Sequence, residues 1–217
     1  MNFNTNNLPN ELPLFPLPGA LLLPKSKLPL NLFEPKYLTM LNDVLKTEDR
    51  LIGMIQPVSN PEGTNSSRQL HQIGCAGRIT AFNETKDGRY LITLEGISRY
   101  RFKNIAEGFF PYMKGQVSWK SFSDDLKQTK PDENFNRTDF LNILSKYFAA
   151  AQLSSDWSSL KDADEELLIN SLSMLCPFDP EEKQALLEAP SLQYRRETLV
   201  TLMEFNLQGG IDEETLQ

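Results

Sequence analysis

The amino-acid sequence predicts an α+β protein whose first half is rich in strands and whose second half is helical. Short apolar runs broken by prolines fill the first half, and such runs are typical of strands at sheet edges or barrel corners. Apolar residues recur at helical spacing from residue 137 onward. A polar segment that contains Pro131 separates the two halves and indicates a linker. The predicted organisation is a β domain over residues 8–119, a linker over 120–136 and a helical domain over 137–208.

The β domain begins with two apolar runs, residues 12–17 and 20–24, which are too short and too rich in proline for helices and are predicted as strands. A helix is predicted to begin at Pro35, because the missing N–H of proline is not needed at the first helical position, and to end near Glu48. Its apolar face consists of Tyr37, Leu41, Val44 and Leu45. Residues 51–55 then form a predicted buried strand.

A long hairpin is predicted next, with arms at residues 73–82 and 89–97 around the turn signal Asp87-Gly88. Every second residue of the returning arm is apolar: Tyr90, Ile92 and Leu94. The alternating pattern continues, and a further strand is predicted within residues 112–119. Several short strands with one inserted helix suggest a small closed or half-closed barrel.

Two apolar stripes at helical spacing dominate the second half. The first stripe consists of Phe140, Ile143, Leu144, Tyr147 and Phe148, and the second of Leu167, Leu168, Leu172 and Leu175. Asp179 followed by Pro180 is typical of a helix start, and Gly209-Gly210 is expected to end the last helix. Three or four short helices of this kind can pack as a small bundle.

The composition is that of a globular protein, with 40% hydrophobic and 24% charged residues among 217. The net charge of −7 disfavours nucleic acid as a partner, because an acidic surface repels phosphate. This acidity is favoured as the ordinary acidity of a soluble cytoplasmic protein, and basic or unfolded protein partners are the less favoured interpretation. The two cysteines, Cys75 and Cys176, lie in different predicted domains among apolar residues and are expected to be buried free thiols.

The amino-terminal segment argues against export and against membrane insertion. Its first seven residues contain no Lys or Arg, although a signal peptide needs a basic start. The apolar run that follows is interrupted by prolines and Gly19, whereas a membrane helix needs about 20 consecutive apolar residues. We therefore expect a cytoplasmic protein with no membrane partner.

The sequence contains little that points to catalysis. The one histidine, His71, cannot by itself form a metal cluster or a Ser-His-Asp set. There is no phosphate-binding Gly-x4-Gly-Lys-Ser/Thr loop and no Gly-x-Ser-x-Gly elbow. We expect no catalytic residue, no metal and no cofactor, and an enzyme is the least favoured of the functions considered.

Several arginines follow glycines or flank an aromatic residue in and after the predicted hairpin, namely Arg78, Arg89, Arg99 and Arg101. One interpretation is a basic, aromatic-lined edge that holds a carboxylate or a peptide backbone. The other interpretation is charge at the ends of strands that prevents pairing with further strands. The pattern favours the second interpretation and leaves the first open.

Longer motifs resemble a known family. Leu12-Pro13-Leu14-Phe15-Pro16-Leu17, then Leu28-Pro29-Leu30-Asn31-Leu32-Phe33-Glu34-Pro35-Lys36-Tyr37, then Ile52-Gly53-Met54, are similar to the start of the Lon protease N-terminal domain. Leu32 replaces the usual Ile, and Ile52 replaces a common Phe. Gly74-Cys75-Ala76-Gly77-Arg78-Ile79 matches the Gly-x-x-Gly-x-Ile arm of that family, and Glu182-Lys183-Gln184-Ala185-Leu186-Leu187-Glu188 matches its helical half. The resemblance covers about residues 10–207.

The resemblance implies a PUA-like β-barrel followed by a helical bundle, and a role in recognising protein substrates. In the full protease this domain is followed by an AAA+ ATPase and a Ser-Lys peptidase, which do not follow in these 217 residues. The chain is therefore expected to be non-catalytic and to resemble a stand-alone substrate-binding domain.

The leading hypothesis is a module that binds proteins or unfolded peptides, and an adaptor in protein quality control is one form that this role could take. We expect the partner in a cleft between barrel and bundle, at six candidate contact residues: Phe33, Tyr37, Arg78, Tyr90, Arg99 and Tyr100. Each of them fits core or strand-edge packing equally well. The alternative is a PUA-like protein that binds a small molecule or RNA, although a likeness of fold alone is weak support. The sequence does not indicate an oligomeric state.

Overall fold

The computed structural model describes residues 7–58, 69–128 and 132–214, with the side chains of 209–214 left out. The chain divides into two compact units, Met1–Gln128 and Thr129–Gln217. In the described ranges the first unit contains six strands and one α-helix, and the second unit contains five α-helices. The α+β prediction, with strands first and helices second, is confirmed.

The strands of the first unit are β1 (Glu11–Pro16), β2 (Lys27–Leu32), β3 (Leu51–Ile55), β4 (Ile73–Glu84), β5 (Tyr90–Ile105) and β6 (Lys114–Ser118). They form one sheet in the order β2-β5-β4-β3-β1-β6, in which β1 and β3 run parallel and the other pairs run antiparallel. Because β6 pairs with both β1 and β5, the pairings of five strands form a closed cycle. Strand β2 lies outside this cycle and pairs with β5.

The helix α1 (Pro35–Leu45) begins at the predicted residue, with Pro35 in its first turn. Its buried face consists of Tyr37, Met40, Leu41 and Val44, close to the stripe that the sequence predicts. The helix ends three residues before the predicted Glu48 because the backbone N–H of Lys46 already bonds back to Asp43 and Val44.

The strand predicted at residues 20–24 is wrong. Gly19 and Lys25 both have positive φ angles, +72° and +62°, so the backbone turns at each end of this segment. Leu21, Leu22 and Leu23 are nevertheless buried. The strand that the prediction missed, β2, begins at Lys27, directly after these turns.

The core of the first unit surrounds Tyr100, which is fully buried. Its phenol donates a hydrogen bond to the carbonyl of Met54 over 3.1 Å, and its ring packs edge-on against Trp119 with the ring centroids 5.9 Å apart. The Trp119 indole N–H in turn donates to the carbonyl of Pro9 over 2.9 Å. These contacts connect strands that are distant in the sequence.

The predicted linker over 120–136 differs from the structure in its first part. Lys120–Leu126 form a 3₁₀ helix whose Phe122 is buried, and this segment belongs to the first unit. The boundary between the units falls after Gln128 rather than after residue 119. Residues 129–131 of the predicted linker lie outside the described residues. The sequence does not predict this helix, because the segment is polar and only Phe122 and Leu126 provide apolar contacts.

The second unit consists of α2 (Arg137–Ala150), α3 (Trp157–Asp162), α4 (Glu165–Leu175), α5 (Pro180–Glu188) and α6 (Leu192–Glu214), and α6 packs against α2, α4 and α5. The helix start predicted at Asp179 is confirmed, with a capping box in which the Glu182 carboxylate accepts from the Asp179 backbone N–H. The side chains of Asn136, Asp156 and Asp164 cap α2, α3 and α4 by accepting from backbone N–H groups of the first turn.

Two predictions for the helical half are wrong, and the short helix α3 was not predicted. Leu167 and Leu175 are exposed, because α4 turns Leu168, Ile169 and Leu172 toward the core. Gly209-Gly210 does not end α6, which continues to Glu214. A glycine in a helix costs about 1 kcal/mol relative to alanine, which is not enough to end a helix on its own.

Candidate protein-binding surface

Three of the six candidate contact residues are packed inside the first unit. Tyr37 is buried on α1, with its ring edge-on to Phe15 at 4.3 Å between centroids. Tyr100 lies at the centre of the core, where burial raises its pKa well above the usual value of a tyrosine. Arg99 is buried as well. Because burial leaves these side chains almost no contact with solvent, a partner at the surface of this unit does not reach them without a rearrangement of the core.

Arg99 holds the 3₁₀ helix against β5. Its Nε and Nη2 donate to the two carboxylate oxygens of Asp125 over 2.9 and 2.7 Å, and its backbone N–H also donates to this carboxylate. The guanidinium lies 4.7 Å from the centroid of the Phe122 ring. This bidentate, buried ion pair gives Arg99 a packing role within the unit.

The other three candidates are accessible to different degrees. Phe33 follows β2 and is 61% exposed. Tyr90, half-buried, begins β5 and pairs with Leu32 at the end of β2, so Phe33 and Tyr90 lie at one end of the sheet. Arg78 is half-buried in the middle of β4, opposite Leu51 of β3, and the structure does not bring it to that end.

Two apolar side chains that were not predicted as contacts lie at the same end. Phe82 of β4 is 52% exposed and Leu91 of β5 is 48% exposed. Phe82 pairs with Ile92 and therefore lies on the same face as Tyr90, whereas Leu91 points to the other face. We call Phe33, Phe82, Arg89, Tyr90 and Leu91 the tip surface.

The turn between β4 and β5 fixes the polar part of the tip surface. The Arg89 guanidinium lies 5.8 Å from the centroid of the Phe33 ring, and its Nε is 3.0 Å from the Asp87 carboxylate. A hydrogen bond with the Glu84 carboxylate raises the pKa of Tyr90. Three exposed apolar side chains, from the end of β2 and from both faces of the β4–β5 hairpin, lie beside a turn with paired charges. Such an end of a sheet can bind apolar residues of another protein.

Phe82 and Leu91 were missed as contacts, although their position in the sequence carries a signal for exposure. Both residues lie close to the Asp87-Gly88 turn. The pairing of β3 with β4 ends at Arg78, before Phe82, whereas Leu91 is still paired with Asn31 of β2. An apolar residue at the end of a hairpin arm is therefore a better candidate for exposure than one at its centre, such as Tyr100.

The described residues contain no group of three or more His, Cys, Asp and Glu side chains arranged to hold a metal ion. Across the same ranges, no helix has the length and apolar content that crossing a membrane requires. The two cysteines are buried and free, as expected. Burial raises the pKa of Cys176 to about 11, which disfavours its thiolate.

Comparison with known proteins identifies a protein family whose model matches most of the chain, and solved structures that share its fold. A family model described as the ATP-dependent protease La (LON) substrate-binding domain matches residues 11–204. The Lon protease of Flavobacterium johnsoniae is 26% identical over 215 residues, which cover 94% of this chain and 25% of that protein. The Lon protease of Desulfosudis oleivorans is 24% identical over 214 residues, covering 95% of this chain and 25% of that protein. The chain thus spans about a quarter of the length of the curated relatives it matches.

Two solved structures share the fold. A Lon N-terminal domain protein from Xanthomonas campestris has a TM-score of 0.60 and 24% sequence identity, covering 88% of this chain and 97% of that one. The N-terminal domain of a Mycobacterium avium complex Lon protease has a TM-score of 0.64 and 11% identity, covering 89% of this chain and 98% of that one.

Proposed function

Because the chain belongs to the ATP-dependent protease La (LON) substrate-binding domain family, we propose that its 217 residues form a non-catalytic module that binds other proteins through the tip surface. The finer parts of the proposal are a PUA-like barrel, a helical bundle, a cytoplasmic location and a role as an adaptor in protein quality control. The closed cycle of strand pairings supports the barrel.

One observation carries the proposal, namely that Phe33, Phe82 and Leu91 are each about half exposed or more on one end of a small sheet. Fully burying a side chain of this size contributes about 1.5–3 kcal/mol. Since about half of each of the three side chains is already covered, a partner that covers the rest gains about 2–4 kcal/mol. Association itself costs translational and rotational freedom, and the net affinity for an unfolded segment is therefore modest. Modest affinity is suited to a surface that captures and releases many clients.

The proposal assigns no cleavage to these residues. The chain matches the part of its relatives that the family model describes as substrate-binding, about a quarter of their length. Binding is therefore the activity to test.

The test compares a Phe33→Ser/Phe82→Ser/Leu91→Ser variant with the wild type in binding a reduced, carboxymethylated and permanently unfolded model protein. Removing three exposed apolar side chains should weaken binding by at least about tenfold, because a few apolar anchors carry most of the energy of an interface. Fluorescence anisotropy of the labelled model protein measures the affinity, and circular dichroism checks that the variant is folded.

Leu175→Ser is the matched control, since Leu175 is a highly exposed leucine on α4 that is not part of the tip surface. It should leave the affinity unchanged. Equal binding by the wild type and the triple variant contradicts the proposal, and so does an equal loss in the control.

A further inference from the structure

A second site lies at the other end of β5. The tip surface is at the start of this strand, whereas its last residue, Ile105, pairs with Gly115 at the start of β6. Beside this end, a cavity of about 260 Å³ opens between the start of β1, the end of α1 and the segment before β6. None of the six residues predicted as contacts lines this cavity.

The lining of the cavity combines apolar walls with carboxylates. The walls include Leu12, Val44 and Leu51, whose side chains are buried in the core. Three acidic residues also line the cavity: Glu11, Asp43 and Asp49. Lys114 is the single cation among the lining residues, so negative charge is in excess there.

One carboxylate of the cavity is held in place. The phenol of Tyr112, which is itself buried, donates a hydrogen bond to Asp43 Oδ2 over 3.0 Å. Burial, and then the bond to Asp43, raise the pKa of Tyr112 to about 12, so Tyr112 remains a donor at neutral pH. On the outer side, the Lys46 ammonium lies 3.5 Å from Asp43 Oδ1 in a largely exposed pair, which contributes little.

Two exposed aromatic residues precede the lining residue Tyr112 in the sequence. Phe109 is fully exposed and Phe110 is partly exposed, in the loop that leads to Tyr112. The Lys114 ammonium lies 3.8 Å from the centroid of the Phe110 ring, so the single cation of the lining contacts this aromatic loop. The ring centroids of Phe110 and Tyr112 are 6.1 Å apart. The exposed Phe110 ring therefore adjoins two residues of the cavity lining, Tyr112 and Lys114.

We propose that the cavity binds the side chain of a lysine or arginine in an extended segment of a client protein, while a neighbouring apolar residue of that segment packs on Phe109 and Phe110. The aliphatic stem of a lysine or arginine matches the apolar walls, and its charge matches the carboxylates. A net charge of −7 also attracts basic segments from a distance. This inference rests on the proposed function, because it takes the occupant from a bound client.

The test uses two short apolar peptides that differ at one position, which is lysine in one and acetyl-lysine in the other. Acetylation removes the charge and retains the aliphatic stem, so the pair isolates the contribution of the carboxylates. We expect the lysine peptide to bind about fivefold more tightly than the acetyl-lysine peptide, as measured by fluorescence anisotropy. A fivefold difference in affinity corresponds to about 1 kcal/mol, the size expected for partly screened ion pairs.

The double variant Glu11→Gln/Asp49→Asn should abolish this preference for lysine. Glu48→Gln, which removes an exposed carboxylate outside the lining, should keep it.

The outcomes separate this inference from the proposed function. Equal affinity for the two peptides overturns the inference, and if the tip-surface variant weakens both equally the proposed function still stands. A preference for lysine that persists in Glu11→Gln/Asp49→Asn, with folding confirmed by circular dichroism, also overturns it. If neither peptide binds at concentrations up to about 1 mM, the inference is overturned, while binding of the unfolded model protein to the tip surface still decides the proposed function.

Discussion

Two glycines of the family motifs allow the backbone to approach the buried Tyr100. A Cβ atom built on Gly74 would lie 2.5 Å from the Met54 carbonyl oxygen and 2.5 Å from the Tyr100 hydroxyl oxygen. A Cβ atom on Gly53 would lie 2.7 Å from the same hydroxyl oxygen. Since real contacts of this kind essentially never occur below 3.0 Å, any larger residue at either position must displace the tyrosine or the strand. Packing around Tyr100 thus explains why glycine is needed at these two positions.

Gly74→Ala should lower the free energy of unfolding by about 1–3 kcal/mol, because the extra methyl group overpacks a filled core. Urea denaturation followed by circular dichroism measures this change. Asn83→Ala, at an exposed position of the same strand, is the control and should stay within about 0.5 kcal/mol of the wild type. A wild-type unfolding curve for Gly74→Ala would contradict the steric explanation.

The 3₁₀ helix at Lys120–Leu126 is stabilised more by one buried ion pair than by the helix-forming tendency of its own residues. Its polar composition and short length are insufficient for an independent helix. The Arg99–Asp125 pair, with side chains 7% and 9% exposed, fixes it on β5 together with the buried ring of Phe122. Arg99 was predicted as a contact for a partner, but its guanidinium is occupied by this contact within the unit.

Asp125→Ala should destabilise the first unit by about 3–5 kcal/mol, because it leaves the Arg99 charge buried without its carboxylate. The double variant Arg99→Met/Asp125→Leu should recover most of this loss, since it removes both charges. Thermal and urea unfolding measure both effects. Asp124→Ala removes the neighbouring exposed carboxylate, which pairs with Lys127, and should change stability by less than about 1 kcal/mol. If Asp125→Ala were as stable as the wild type, the Arg99–Asp125 pair would not be what holds the 3₁₀ helix on β5.

At the scale of the whole molecule, the chain consists of two compact units that meet in sequence at residues 128 and 129. The division between a strand-rich and a helical half agrees with the predicted order. Its position does not agree with the predicted end of the β domain at residue 119, because the first unit includes Phe122 and Asp125. A domain boundary therefore depends on contacts that a change in composition does not reveal.

A fragment of residues 1–128 should unfold cooperatively on its own, whereas a fragment of residues 1–119 should be strongly destabilised. The shorter fragment removes Phe122 and Asp125 and leaves Arg99 buried without its ion-pair partner. Thermal unfolding by circular dichroism and the dispersion of amide resonances distinguish the two results. If the two fragments were equally stable, the first unit would end at residue 119, as the sequence predicts.

Several elements followed from local patterns alone. The strand Leu51–Ile55, the hairpin turn at Asp87-Gly88 and the helix start at Pro35 lie where the sequence predicts them. Each of these depends on residues within a few positions, such as a turn residue or a proline at a helix start. The failed predictions, the strand over 20–24 and the exposed Leu175, depend on where distant segments cover the chain.

The sequence by itself determined the α+β order, the resemblance to the family and the starts of several elements, because these depend on neighbouring residues and on long motifs. Only the tertiary structure decided which aromatic side chains are available to a partner. Tyr100 and Phe82 lie in similar apolar alternating strands, yet one is fully buried and the other is 52% exposed. The reason is that burial depends on residues brought in from elsewhere in the chain, here Trp119 and Met54 around Tyr100, and local periodicity carries no information about those contacts.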